Sequence, residues 1–350
     1  MSTKGPSFAQ RAVLWLVVIA VAAVTGAVVW QTGAYAPPPK IALVASTESD
    51  YWNDVILGAQ HAAAQYDAVL TVHQASEGEG EQTRMLRDLA AQNVDGIAVS
   101  PLDAKRQVTP LSEIAANIPL VTFDSDSPLS GRLCFVGTDN YTAGRQTAQL
   151  VREALPEGGT VVIATGSLEK DNGRLRRQGL IDALLERSFG PGRPPEPLGE
   201  PLVGPDYTVV TTLVDENDRA QAKANIDSML ASGETPDCIV GLYAYNGPAA
   251  VDALTEAGKL DDTVVIGFDY IEGTLEAIKA GHIYASMAQD PYHYGFHSVR
   301  ILADEARGKA RAMLPLNTII DIRCFPIRAN SLGEFEAKLQ TKRSGEWIRD

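Results

Sequence analysis

The residues of this chain best placed to do chemistry stand at the ends of short apolar runs. Ser46 follows IALVA, Ser100 follows GIAV, Asp124 follows LVTF and Asp269 follows VVIGF. A carboxylate or hydroxyl at the carboxyl end of a buried strand is placed to hold a small ligand by hydrogen bonds. Catalytic patterns are missing: the chain has no GxGxxG, no GxxxxGK[ST] and no GxSxG. The glycine-rich EGEGE at 77–81 is acidic and would repel a phosphate. His293 and His297 are four apart, but HYGFH lacks the adjacent glutamate of a zinc hydrolase, so they read as surface residues. Cys134, Cys238 and Cys324 form no CxxC pair, and each lies in an apolar run, so they read as buried thiols. No catalytic residue, metal or cofactor is expected. The chemistry on offer is binding.

Elements that could position those residues follow from the hydropathy pattern. Apolar, β-branched runs at 41–45, 69–72, 96–99, 119–123, 133–136, 160–164, 208–213, 238–242, 264–268, 283–287 and 318–324 predict strands. Between them, amphipathic stretches such as 53–66, 81–93, 141–154, 174–187, 217–231 and 248–257 predict helices. Continuous apolar strands spaced by helices make βαβ units with buried parallel sheets. Eleven strands exceed one ordinary doubly wound sheet, which predicts two α/β lobes. The stretch 189–205 is rich in Pro and Gly and reads as a long surface loop, while the charged residues after Arg328 read as a loosely packed terminal helix.

Charge and the N-terminus place the protein. With 30 Lys and Arg against 44 Asp and Glu, the net charge is −14, which argues against a nucleic-acid partner. Residues 12–30 form an uncharged apolar run of the length a bilayer-spanning helix needs, with Lys4 and Arg11 before it. Positive charge on that flank predicts a cytoplasmic N-terminus and an extracytoplasmic body. Residues 1–36 therefore read as an inner-membrane anchor. Removal as a signal peptide at the AxA-like Ala34-Tyr35-Ala36 is the alternative, although Pro37 directly after it fits cleavage poorly.

The segments IALVASTESDYWNDVILGAQHAA, IPLVTFDSD, VGTDNYTAGR, RRQG, YAYNGPAAVDAL, VVIGFDY and MAQDPYHYG, in that order and spacing, resemble the periplasmic sugar-binding proteins of the ribose/galactose type. The resemblance runs from about Lys40 to Phe325. It implies a type I periplasmic binding fold, with two Rossmann-like lobes joined by a three-segment hinge that closes over one ligand. Carried onto this chain, the crossings fall near Thr138–Asp139, Gln289–Asp290 and Leu316–Asn317. One lobe then comprises 40–138 plus 290–316 and the other 139–289 plus 317–335, with a tail at 336–350.

The resemblance also implies the site. Tyr51 and Trp52 stand where the family's aromatic pair sandwiches a sugar ring, and Trp52 is the one tryptophan between the apolar run and the tail. Asp124 and Asp269 match the carboxylates that each lobe contributes. Arg176, Asn246 and Gln289 match the family's arginine, asparagine and glutamine in the cleft. Asn217 is a weaker match, of Tyr243 and Tyr245 only one is expected to reach the cleft, and Arg174 and Arg177 are expected in solvent. Asp139 and Asn140 read as capping and hinge residues. The chain departs from ribose-binding members at Ser125, where they carry an arginine, and at Ser49 and Asp50. With Asp126 added, the first lobe's side of the cleft is expected to be acidic, disfavouring ribose and phosphorylated ligands. The implied partners are a monosaccharide or polyol, an ABC permease with its ATPase, and the membrane, for a protein that is itself monomeric. A membrane-anchored sensor reporting occupancy to a kinase or chemoreceptor is the alternative.

Overall fold

The computed structural model describes residues 15–21, 37–46, 49–190 and 193–344, without the side chain of Asp50. Residues up to Pro39 form a separate unit, in which residues 15–21 are helical and exposed. Most of the apolar run at 12–30, and the AxA-like site, lie outside the described residues. Among the described residues, no helix is long and apolar enough to cross a membrane.

The unit from Lys40 onward begins with β1 (Lys40–Ala45), α1 (Asp50–Gln65), β2 (Val69–Gln74), α2 (Glu79–Ala91), β3 (Gly96–Val99), α3 (Val108–Ala115), β4 (Leu120–Phe123) and β5 (Cys134–Gly137). It continues with α4 (Asn140–Ala154), β6 (Gly159–Thr165), α5 (Asp171–Leu184), β7 (Leu202–Val203), β8 (Tyr207–Val214), α6 (Arg219–Ala231) and β9 (Cys238–Gly241). Next come α7 (Asn246–Glu256), β10 (Val264–Phe268), α8 (Glu272–Ala280) and β11 (Ala285–Ala288). The last elements are α9 (Pro291–Ala306), β12 (Ile319–Asp321), β13 (Phe325–Arg328) and α10 (Leu332–Ser344). These strands build a six-stranded sheet, ordered β12-β5-β4-β3-β1-β2, and a seven-stranded sheet, ordered β13-β11-β10-β9-β6-β8-β7. Pairing is parallel except at β13 and β7, which lie antiparallel on the two edges of the second sheet.

Local chemistry fixes where the helices start. Ser49 accepts from the Trp52 N–H, Asp139 from that of Thr142, Asp218 from those of Ala220 and Gln221, and Asp290 from that of His293. Each bond satisfies a donor the first turn leaves free. One helix pair in each half packs backbone to backbone through glycine. A methyl on Gly295 of α9 would sit 1.9 Å from the Val55 carbonyl oxygen of α1, and one on Gly179 of α5 would sit 2.0 Å from that of Tyr141 in α4. No side chain fits at either contact. The second contact brings α5, and the arginines it carries, against the start of α4.

The chain passes between the sheets three times. The first passage lies between Gly137 and Asn140, and the second between Ala288 and Pro291. The third differs from expectation. Residues 318–324, predicted as one strand after a crossing at Leu316–Asn317, hold only the short β12, which pairs with β5 in the first sheet, while β13 starts at Phe325 and pairs with β11 in the second. The crossing therefore falls between Asp321 and Phe325, after Asp321 has accepted a bond from the Asp139 N–H. The three passages are tied together: Thr138 Oγ1 donates to the Ile322 carbonyl at 2.6 Å and bonds Tyr294 Oη at 2.7 Å, while Gln289 Nε2 donates to Tyr294 Oη at 2.8 Å. The terminal helix α10 also differs from a loose tail. It spans the expected boundary at 335/336, Phe335 packs on Tyr270, and Lys342 and Arg343 bond Asp290 and Asp54. Residues 345–350 lie outside the described residues.

Candidate ligand-binding cleft

Between the carboxyl ends of the two sheets lies a cavity of about 590 Å³, within the range that holds a small molecule. Tyr51, Trp52, Asp124, Arg176, Asp269 and Gln289, six of the seven residues expected there, line it. A wider groove of about 980 Å³ adjoins it at Tyr51, Ala244 and Asp269, with α8 and α10 beyond.

Asp124 and Asp269 are presented in the same way from opposite sheets. Each directly follows its strand, β4 or β10, and adopts left-handed φ values of 61° and 60°, which aspartate tolerates better than most residues. Each keeps a backbone bond to the neighbouring strand, Asp124 N–H to Val136 and Asp269 N–H to Met287. Their partners differ. Asp124 accepts from Tyr51 Oη at 2.6 Å and from Ser100 Oγ at 2.9 Å. Among the described residues the Asp269 carboxylate accepts only from the backbone N–H of Gln289, at 3.1 Å, while its carbonyl takes the Ser286 hydroxyl. Burial pushes its carboxyl up to about 7, with Arg176 opposing and Asp124 adding to the rise. Asp269 thus arrives at the cavity short of hydrogen-bond donors.

Arg176 is 1% exposed, and each of its three guanidinium nitrogens donates to a protein acceptor. Nε donates to Asn140 Oδ1 at 2.8 Å, one terminal nitrogen to the Leu242 carbonyl at 2.9 Å, and the other to Gln289 Oε1 at 2.7 Å. Its guanidinium lies 4.0 Å from the centroid of the Phe268 ring. Gln289 in turn gives one of its amide N–H groups to Tyr294. Both line the cavity, yet their main partners are protein groups. Asn140, expected at a cap, orients this arginine.

Asn246 corrects the expectation. It is fully buried and absent from the cavity wall. Its Oδ1 accepts from the Tyr243 N–H, and its Nδ2 donates to Asp215 Oδ2 at 2.8 Å. As the first residue of α7 it folds back onto the strand end that precedes it. Asp215 also accepts from Tyr245 Oη at 2.5 Å and from the Asn217 N–H. Tyr243, Tyr245 and Asn217 all line the cavity, so both tyrosines reach it where only one was expected: they lie in the turn after β9, and Ala244 between them lines it too.

Tyr51 and Trp52 meet edge to face, with centroids 5.2 Å apart and planes at 86°, so they do not form two parallel walls. Trp52 also packs edge to face on Phe123 and is 7% exposed. Burial and the adjacent Asp124 raise the Tyr51 phenol far above its ordinary range, keeping it a donor.

Other expectations change with the packing. Arg177 is buried rather than solvated, and ties α5 to Thr212 and to the Pro197 carbonyl of the long loop. Arg174 is exposed and pairs with Asp171. Asp126 does not acidify the cleft: it is buried and neutralised by a two-pronged bond from Arg132. Ser125 is buried with no bond to its hydroxyl, and neither residue lines the cavity. His293 bonds Asp290, while His297 accepts from Arg300 and is held down to about 4 by burial and that arginine. All three cysteines are buried free thiols. Sequence reasoning missed Lys170 in the cavity wall, because a lysine between Glu169 and Asp171 carries the signature of a solvated charge.

A profile of the periplasmic binding protein domain matches residues 41–310. The chain belongs to this family. Among periplasmic binding proteins it is 26% identical to the D-allose-binding periplasmic protein of Escherichia coli K12 over 302 residues, covering 82% of this chain and 89% of that one. The glucose-galactose binding protein GanP of Geobacillus stearothermophilus superposes with a TM-score of 0.75 at 28% identity, over 84% of this chain and 99% of its own. An ABC transporter solute binding protein from Burkholderia graminis, solved with D-arabinose, superposes with a TM-score of 0.74 at 26% identity, over 84% and 96%.

Proposed function

We propose that this periplasmic binding protein captures a monosaccharide or polyol in the cavity and presents it to an ABC-type importer outside the cytoplasmic membrane. The observation that carries this reading is the convergence of Asp124 and Asp269, one from each sheet, on a cavity that also holds Trp52. A carboxylate accepts from two adjacent hydroxyls and an aromatic ring covers a C–H face, which together describe a polyol. The two sheets then act as lobes, 40–137 with 291–321 and 140–288 with 325–344, that rotate together on binding. What the named relatives bind supports the ligand class. The test is a thermal-shift screen with D-allose, D-ribose, D-arabinose, D-galactose, xylitol and myo-inositol. Saturation at ~100 times Kd adds about 2.7 kcal/mol, so at least one should raise Tm by several degrees. A flat response to all six would remove the sugar reading.

The uncharged run at 12–30 supports a second element of the proposal, an anchor that holds the cleft beside its transporter and raises its local concentration there. The full-length chain is expected to stay with membranes after an alkaline carbonate wash. Recovery in the soluble fraction with about 36 residues missing would make the run a removed signal.

A further inference from the structure

Asp54 is a buried carboxylate that ligand binding does not explain. It stands in the second turn of α1, two residues after Trp52, and its side chain is only 6% exposed. Burying a carboxylate is costly unless charged or polar donors meet it. Arg343 supplies a fork, with Nε to Oδ1 at 3.0 Å and a terminal nitrogen to Oδ2 at 3.1 Å, and Tyr270 Oη donates to Oδ2 at 3.3 Å. Among the described residues, every hydrogen-bond partner of this carboxylate comes from the other half of the molecule. Tyr270 follows Asp269 directly, and burial and the Asp54 charge raise its phenol far above the ordinary range, keeping it a donor. Arg343 lies in the last turn of α10, a helix rooted in the second half. Leu332 at its start is buried in a core cluster of the second sheet, and Phe335 packs edge to face on Tyr270 with centroids 4.9 Å apart. Lys342 bonds Asp290 in the second passage between the sheets, so α10 is held beside the hinge while its next residue reaches α1.

We propose that α10 is an inter-lobe latch: Arg343 and Tyr270, from the second lobe, clamp Asp54 of the first and hold a share of the empty protein closed. The inference rests on the proposed reading of the two sheets as lobes that rotate on binding. When the lobes part, Asp54 loses all three bonds together, so the clamp favours the closed arrangement alone. The bond from Lys342 to Asp290 lies in a passage, where rotation displaces atoms least, and survives. Latch and ligand residues are neighbours in the chain, Asp54 after Tyr51 and Trp52, and Tyr270 after Asp269, so one movement closes both. Only closed lobes hold a ligand from both sides, and the affinity therefore scales with the closed fraction of the empty protein. The two sides of the latch are unequal, because Arg343 is 48% exposed and Asp54 6%. Losing the arginine leaves a buried charge short of its partner in the closed form, whereas losing the carboxylate leaves an arginine already half in water.

The test is double electron–electron resonance on the empty full-length chain, spin-labelled at Asn117→Cys and Glu234→Cys. These exposed positions precede β4 and β9, at the ends of the two sheets away from the cavity, and the native thiols are buried. The protein with its latch intact should show a short distance, matching the structure, beside a longer one. Arg343→Met should lower the ratio of short to long roughly 3- to 10-fold, as expected for a charged pair exposed on one side. Asp54→Asn, alone or combined with Arg343→Met, should lower it less, because neither leaves a buried charge unpaired. For whichever of the six sugars and polyols binds wild type, calorimetric affinity should fall in proportion to each variant's closed fraction. Distances unchanged by Arg343→Met, or an intact latch with no short component, would overturn the inference, as would a double variant as open as Arg343→Met. So would affinities that fall while the distances stay fixed. If none of the six binds, the sugar reading fails, while the distances still decide the latch.

Discussion

Asp269→Asn is expected to stabilise the empty protein at pH 8 and to abolish ligand binding. The Asp269 carboxyl is 5% exposed, and burial raises it to about 7 against about 3.9 in an unfolded chain. Between those two values the folded protein holds a proton that the unfolded chain has released. The stability this group contributes is complete below about 3.9 and is lost as pH rises through 7. Three pKa units correspond to about 4 kcal/mol, and relaxation around the charge brings the expected cost to about 2–4 kcal/mol. Asparagine carries no charge and accepts the positive φ of 60°. The variant should therefore melt several degrees above wild type at pH 8, with the difference vanishing near pH 4. Arg176, Asp124 and the Gln289 N–H all act on this carboxyl, so the comparison holds them fixed. Binding goes because an amide accepts at one atom only. Equal melting temperatures at pH 4 and pH 8 would show that Asp269 carries no such cost.

Arg176→Ala is expected to act in the opposite sense, costing about 3–5 kcal/mol of folding stability before any effect on the ligand is felt. Removing the guanidinium strips donors from Asn140 Oδ1, the Leu242 carbonyl and Gln289 Oε1, all inside the protein, and empties the space beside Phe268. Lysine should not rescue it, because one ammonium cannot span three acceptors held by a planar fork. Urea denaturation without ligand measures the loss. An unfolding midpoint equal to wild type, with only affinity reduced, would return Arg176 to a purely ligand-binding role.

Much of the fold was legible because strands buried on both faces are apolar throughout, and their spacing by amphipathic helices leaves few alternatives. Ser46, Ser100, Asp124 and Asp269 were visible as polar residues closing such strands. Legibility failed where a side chain's partner is distant in sequence. Asn246 and Asp215, 31 residues apart, complete each other, and Arg177 finds Thr212 across 35. Asp126 looked like added cleft charge because its neutralising Arg132 gives no periodic signal. The run 318–324 read as one strand, yet pairing stops at Asp321 and resumes only at Phe325 in the other sheet, and nothing local marks that switch. Lys170 was hidden by its acidic neighbours.

The three passages between the sheets lie side by side and are cross-tied through Thr138, Tyr294, Gln289 and Ile322. A door hung on three aligned pins can swing but cannot slide or wring. Shear and torsion between the halves would have to break those bonds, whereas a single rotation is absorbed by φ and ψ at a few linking residues. If the two sheets rotate on ligand binding as proposed, these ties would confine that movement to one angular coordinate. Because Gln289 bonds Tyr294 among these ties and also Asp269 and Arg176 in the cavity wall, a ligand held there as proposed would act directly on the axle.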